Sequence, residues 1–138
     1  MVRVFWYILH AALLQNEACQ KHGVLFIADP SRQRLTHFDA AISQQFVTSI
    51  TGALPVRMSG GHIVYPPSFF SIMWSVVKVI VPARIKQRLR IHGGSQETVL
   101  DKLETKFGLT RDKLPTLVGG TVELDHVSWL ETQKENGL

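Results

Sequence analysis

The segment from Pro66 to Val81 constrains the fold most, because it is long enough for a helix and apolar on every side. A surface helix needs one apolar stripe, whereas a helix that is apolar all round must be covered on two sides. A chain of 138 residues has little protein for the second side, so a bound lipid or a membrane is a candidate cover. The apolar residues are Phe69, Phe70, Ile72, Met73, Trp74, Val76, Val77, Val79, Ile80 and Val81.

Length, charge and cysteine content narrow the class of protein. The length allows one domain at most. A single cysteine, Cys19, excludes an intrachain disulfide and indicates a reducing compartment. The formal net charge of +4 favours an anionic partner, which is either nucleic acid or an acidic membrane face.

The N-terminal apolar run needs separate interpretation. Val4 to Leu14 follows Arg3 and resembles the core of a signal peptide. No small-x-small cleavage site follows, and the run is too short to span a bilayer. We therefore interpret it as a packed helix, with a signal or anchor as the alternative. The uncharged stretch from Ser59 to Val77 is not expected to form one membrane helix, because pairs of glycine and proline interrupt it.

Hydrophobic periodicity and turn residues predict the element order α-β-α-β-α-β-α. This alternation is typical of an α/β fold, here a small parallel or mixed sheet flanked by helices. The first strand, 23–29, is a continuous apolar run, as expected of a strand buried on both faces. The predicted helices are 3–21, 38–54, 66–81, 83–88 and 96–107, the last capped by Ser95, and the further strands are 62–65, 89–92 and an edge strand within 117–122.

Catalytic and metal motifs are weak. His92-Gly93-Gly94 could supply oxyanion-hole amides, but the G-x-S-x-G elbow that such a hydrolase needs is missing, so a turn is the preferred interpretation. The six histidines have no metal-ligand spacing and are interpreted as isolated residues. No phosphate-binding glycine loop occurs. Asp29, at the end of a strand, fits a turn or cap better than a ligand site.

A basic cluster follows the apolar segment directly. Arg84, Lys86, Arg88 and Arg90 fall within seven residues, and a helix over 83–88 would place Arg84 and Arg88 on one face. Cations beside an apolar element are attracted to an anionic membrane. Nucleic acid is less favoured because no aromatic platform accompanies the charges. A solvated surface is the third interpretation.

Four sequence stretches form a pattern when they are taken together: GVLFIAD at 23–29, LPVRMSGGHIVYPPSFFSIMW at 54–74, KVIVPARIKQRLRIHGG at 78–94 and LPTLVGG at 114–120. In this order the four stretches are similar to the CRAL-TRIO lipid-binding family, and most similar to its tocopherol and retinaldehyde transfer branch. The resemblance covers residues 2–130, which we predict to be a lipid-binding domain that is incomplete at its N-terminus. Residues 131–138 would form a polar tail, and we expect the chain to fray from Glu131 onward.

The resemblance implies a pocket for one hydrophobic molecule beneath a mobile gate helix at Pro66 to Val81. It also implies that Arg84 and Arg88 hold a phosphoinositide headgroup. Ser59 stands where family members carry a further headgroup-binding arginine, so that contact is missing here. Val56 stands where members that exchange phosphatidylinositol carry a glutamate. This second difference argues against phosphatidylinositol as the cargo.

We therefore predict a non-enzymatic, cytoplasmic protein that binds a lipid-like ligand and transfers or presents it at membranes. The alternative is a phosphoinositide-binding recruitment module without cargo, and a hydrolase is the least favoured interpretation. No cofactor, metal or nucleic-acid partner is expected. The predicted ligand-binding residues are Phe26 or Ile27, Phe46, Ile50, Ile63, Phe69, Phe70, Met73, Trp74 and Val77, and the predicted headgroup residues are Arg57, Lys78, Arg84 and Arg88.

Overall fold

The computed structural model describes residues 2–53 and 57–138, apart from the side chains of Val2, Ile50 and Ala53. The chain divides into two compact units, one ending at His92 and one comprising Gly93–Leu138. The first unit contains a sheet with its helices, and the second is built from helices and short turns. The predicted α/β class is therefore confirmed.

Two helices open the first unit where the sequence predicts a single helix over 3–21. The first, α1, spans Val2–Gln15, and α2 spans Glu17–His22. Asn16 separates them, because its side chain accepts a hydrogen bond from the Ala18 amide at 2.9 Å and so caps a new helix. Gly23, at a φ of 88°, ends α2.

Three parallel strands form the sheet in the order β1-β2-β3. They are β1 at Val24–Ala28, β2 at Met58–Val64 and β3 at Leu89–His92. The prediction that β1 is buried on both faces is wrong. Leu25 is 39% exposed, so the face of β1 that carries this side chain is only partly covered in the described part of the chain. Strand β1 pairs with β2 alone among the described strands and therefore forms an edge of the sheet.

Helical crossovers connect these strands, as expected for parallel pairing. Helix α3 spans Ala40–Thr48, is capped by the Asp39 carboxylate and continues as a π-helical turn at Ser49–Ala53. Helix α4 spans Phe70–Ile80 and α5 spans Ala83–Lys86. The apolar helix begins four residues later than predicted, because the chain first makes a turn in which the Phe70 amide donates to the Pro67 carbonyl at 2.9 Å.

The second unit begins with α6, which spans Gln96–Phe107 as predicted. The Ser95 hydroxyl caps it by accepting the Thr98 amide at 3.3 Å, and Gly108 ends it in the left-handed conformation at a φ of 66°. Leu103 and Leu114 are fully buried and form the centre of this unit's core with Val99 and Leu100.

Two predictions in the second unit are wrong. The edge strand predicted within 117–122 is a short 3₁₀ turn at Thr116–Val118 with one isolated bridge between Pro115 and Val122. The tail from Glu131 is ordered in α7, His126–Glu135, because the Asp125 carboxylate caps the helix by accepting two backbone amides. Gln133 of this helix is 2% exposed, so α7 is packed and does not fray.

Candidate functional site

A cavity of about 450 Å³ lies within the first unit, between the sheet and the helices α3 and α4. That volume is within the range of pockets that enclose one small organic molecule. Helices α1, α3, α4 and α5 and the strands β1, β2 and β3 contribute residues to its wall. The described lining residues are Phe5, Phe26, Ile27, Ala28, Ile42, Ser43, Phe46, Val47, Met58, Gly61, His62, Ile63, Trp74, Val77, Val81, Ile85 and Leu89.

The wall of this cavity is almost entirely apolar. None of the described lining residues is Asp, Glu, Lys or Arg, and Ser43 is the hydroxyl-bearing residue among them. Side chains alternate between the faces of a strand. Gly61 faces Met58 and Leu89 of the wall, so the His62 side chain points to the opposite face of the sheet. A site of this composition can hold a hydrophobic molecule but offers little to bind a charged one.

Six of the sequence-predicted ligand residues line the cavity: Phe26, Ile27, Phe46, Ile63, Trp74 and Val77. Phe69, Phe70 and Met73 are not among the described lining residues. Met73 is buried, and the Phe70 ring stacks on Trp74 at a centroid distance of 6.0 Å. The side chain of Ile50 lies outside the described residues. Contact of these side chains with a ligand stays a prediction.

The sequence analysis did not predict that Phe5 of α1 lines the cavity. Its ring lies 4.5 Å from the Phe46 ring and 5.8 Å from the Phe26 ring, measured between centroids. This cluster connects α1 to β1 and α3. The apolar N-terminal run indicated a packed helix, but its spacing did not indicate which residue faces a cavity. Ile42 was detectable, because it precedes Phe46 by one helical turn on the apolar face of α3.

Helix α4 presents apolar side chains in two directions. Trp74 and Val77 face the cavity, whereas Ile72 is 59%, Val76 41% and Val79 81% exposed. The second apolar flank therefore has no protein cover in the described part of the chain. Among the described residues, no helix is both long and apolar enough to cross a membrane.

The predicted headgroup residues differ in what their side chains do. Arg57, Lys78 and Arg84 are exposed. Helix α5 ends at Lys86, so Arg84 and Arg88 do not share one helix face as predicted. The Arg88 guanidinium instead donates to the Met58 carbonyl and ties the start of β3 to the start of β2.

Parallel topology nevertheless brings three of these cations, Arg57, Arg84 and Arg88, to the amino-terminal end of the sheet. Arg57 directly precedes β2, Arg88 directly precedes β3, and Arg84 lies in the short helix that leads into β3. The amino-terminal ends of parallel strands lie at the same end of the sheet. The Arg90 guanidinium is also engaged there, donating to the Gln87 carbonyl at 2.7 Å.

The interpretation of the histidines as isolated is wrong for one pair. His62 and His92 are 4% and 6% exposed, and Nδ1 of His62 lies 2.9 Å from Nε2 of His92. Burial, followed by the charges of His92 and Arg90, lowers the pKa of His62 below its ordinary value of 6.5. No cluster of three potential metal ligands occurs among the described residues.

The predicted turn at His92-Gly93-Gly94 is present, with Gly94 at a φ of 114°. The Ser95 hydroxyl that follows caps α6 and lies 2.8 Å from the Thr98 hydroxyl. The His92 ring is stacked on His62. These residues therefore serve the ends of a strand and a helix.

Comparison with known proteins identifies a family. A family model described as CRAL/TRIO domain matches residues 1–120. The chain is 31% identical over 127 residues to alpha-tocopherol transfer protein-like of Mus musculus, covering 89% of this chain and 35% of that protein. It is 25% identical over 129 residues to tyrosine-protein phosphatase non-receptor type 9 of the same species, covering 94% and 20%.

A third relative, clavesin-1 of Xenopus laevis, is 21% identical over 124 residues, which cover 87% of this chain and 36% of the relative. The chain thus spans about a third of the length of the tocopherol-protein and clavesin relatives, and a fifth of the phosphatase. Because the family model matches most of its residues, this chain belongs to the CRAL/TRIO domain family.

Proposed function

We propose that this chain binds one hydrophobic, lipid-like molecule in the cavity beneath α4 and transfers or presents it at membranes. Membership of the CRAL/TRIO family indicates lipid binding or transfer. The proposal of binding in this cavity and transfer at membranes rests on one observation. The apolar cavity lies beneath a helix whose outer flank is also apolar and exposed.

The composition of the cavity supports an uncharged cargo. Burial of alkyl carbon contributes about 0.8 kcal/mol per CH₂ and is chemically unspecific. Selectivity then comes from the shape of the wall, where the rings of Phe5, Phe26 and Phe46 form one cluster in contact. We propose that Trp74 and Val77 cover the bound molecule from α4.

The two flanks of α4 support a gating role. In water the helix covers the cavity with Trp74 and Val77, and at a bilayer the flank of Ile72, Val76 and Val79 enters the apolar layer. Tyr65, just before the segment, has a φ of 52°, which a non-glycine residue rarely adopts. A strained residue at the end of an element is a candidate hinge.

Exposed cations at the amino-terminal end of the sheet and in the last turn of α4 would hold the protein on an anionic, phosphoinositide-containing surface. Arg57, Lys78 and Arg84 have exposed side chains that can reach headgroups, whereas Arg88 has a partner within the sheet.

We propose a cytoplasmic protein that is peripheral on membranes, with the domain at residues 2–130. We assign no catalytic role, because His92 and Ser95 serve the sheet and the cap of α6.

Recruitment to a phosphoinositide membrane without cargo is the second candidate, and the exposed Arg57 and Arg84 favour it. Native mass spectrometry of the purified chain, before and after incubation with mixed-lipid vesicles, separates the two. A bound lipid-like molecule of one-to-one stoichiometry supports the first candidate. Binding to anionic vesicles by protein that never carries such a molecule supports the second.

A further inference from the structure

Gly61 lies in the middle strand of the sheet, which forms the floor of the cavity. It is buried in the middle strand, where it pairs with Phe26 of β1 on one side and Leu89 of β3 on the other. All three residues line the cavity. Gly61 is not among the positive-φ glycines, so the backbone conformation does not require glycine here.

The space beside residue 61 is instead occupied by the ends of two side chains of the cavity wall. A Cβ atom at Gly61 would lie 2.6 Å from Cδ2 of Leu89 and 2.6 Å from Cε of Met58. Carbon atoms in contact are normally about 3.5–4.0 Å apart, so each methyl group would have to move by about 1 Å. Since the sheet lies on one side of these groups, they would move into the cavity.

The neighbouring Gly60 provides a comparison at the same strand. A Cβ atom there would meet its nearest neighbour, Cδ1 of Leu25, at 3.8 Å, which is ordinary contact. Because side chains alternate along a strand, this Cβ would point to the face away from the cavity. A methyl group at residue 60 therefore costs no cavity volume, whereas the same group at residue 61 does.

We propose that Gly61 determines which ligand shapes the cavity accepts, an inference that depends on the function proposed above. Without a side chain at Gly61, the ends of Met58 and Leu89 occupy the space beside residue 61 and leave the cavity deep at this point. A deep floor accepts a hydrophobic molecule with a rigid, bulky end, such as a fused-ring system. A side chain here would raise the floor and restrict the cavity to slender chains.

The test compares two fluorescent probes, the fused-ring sterol dehydroergosterol and the straight-chain parinaric acid. Their Kd values are measured with the wild-type chain, Gly61→Ala and Gly60→Ala. We expect Gly61→Ala to raise the ratio of the sterol Kd to the chain Kd by about tenfold, the usual effect of one methylene in an apolar pocket. Gly60→Ala should leave this ratio unchanged.

A compensating variant guards against a simple folding defect. Shortening Leu89 in Gly61→Ala/Leu89→Ala removes one of the two contacts, so the ratio should return toward the wild-type value. A wild-type chain that binds parinaric acid but not the sterol, equal ratios in the two glycine variants, or no recovery in the double variant would each overturn the inference. A wild-type chain that binds neither probe and carries no lipid would contradict the proposed function itself.

Discussion

His62 and His92 lie in contact on neighbouring strands, with their ring nitrogens 2.9 Å apart and their ring centroids 5.1 Å apart. Thirty residues separate them in the chain, and the parallel pairing of β2 with β3 brings them together. The rings are nearly parallel, at an interplanar angle of 23°. One ring donates its N–H and the other accepts, so the bond requires at least one neutral imidazole.

This pair makes stability depend on pH. Burial, His92 and Arg90 hold the pKa of His62 below 6.5, so the unfolded chain takes up a proton at a higher pH than the folded one. The free energy of unfolding contributed by this group is complete above pH 6.5 and decreases as the pH falls toward the lowered pKa. We expect a lower urea midpoint at pH 5.5 than at pH 7.5.

The measurement uses two glutamine variants. His62→Gln removes the buried titrating group, so it should reduce the difference between the two midpoints. His22→Gln, at an exposed residue of α2, should retain the wild-type difference. An equal difference in His62→Gln and wild-type protein would assign the pH dependence to other groups.

The two flanks of α4 predict opposite defects from the same substitution. Val77→Glu places a carboxylate against the cavity, so we expect the variant to lose binding of the fluorescent probe parinaric acid in solution. Val79→Glu, at a residue that is 81% exposed, should bind the probe normally but deliver it to anionic vesicles at least about tenfold more slowly, because a charge must leave water. Fluorescence binding and vesicle-to-vesicle transfer measure the two steps. Equal behaviour of both variants in both assays would contradict the gate.

Charge neutralisation tests the role of the exposed arginines at the amino-terminal end of the sheet. We expect Arg57→Gln and Arg84→Gln each to weaken binding to phosphoinositide vesicles about fivefold, since one basic residue contributes about 1 kcal/mol at such a surface. Arg32→Gln is the matched control, because Arg32 follows β1 and therefore lies at the opposite, carboxyl-terminal end of the sheet. Vesicle co-sedimentation measures the effect, and equal losses in all three variants would indicate a diffuse charge effect.

Arg88 should affect stability instead. Its guanidinium donates to the carbonyl of Met58, a half-buried residue, so we expect Arg88→Gln to lower the free energy of unfolding by about 1–2 kcal/mol. Arg84→Gln, at an exposed residue without such a bond in the described structure, should change it by less than about 0.5 kcal/mol. Urea unfolding at neutral pH measures both. A destabilised Arg84 variant together with an unaffected Arg88 variant would reverse the two roles.

Much of the local structure could be predicted because its causes are local. Ser95 and Gly108 at the two ends of α6 define that helix within its own sequence. The apolar character of Pro66 to Val81 likewise indicated a helix with too little protein cover, and the exposure of Ile72, Val76 and Val79 agrees with it. Errors occurred where a polar side chain had two local uses, as at Asn16, which caps a second helix.

The sequence by itself determined the α/β class, the family motifs and the apolar helix, because periodicity and end signals act over a few residues. Only the tertiary structure decided which side chains meet. It placed Phe5 against Phe46, engaged Arg88 with the Met58 carbonyl and paired His62 with His92. These contacts join residues far apart in the chain, and they depend on strand order and register, which the pattern of a single strand does not contain.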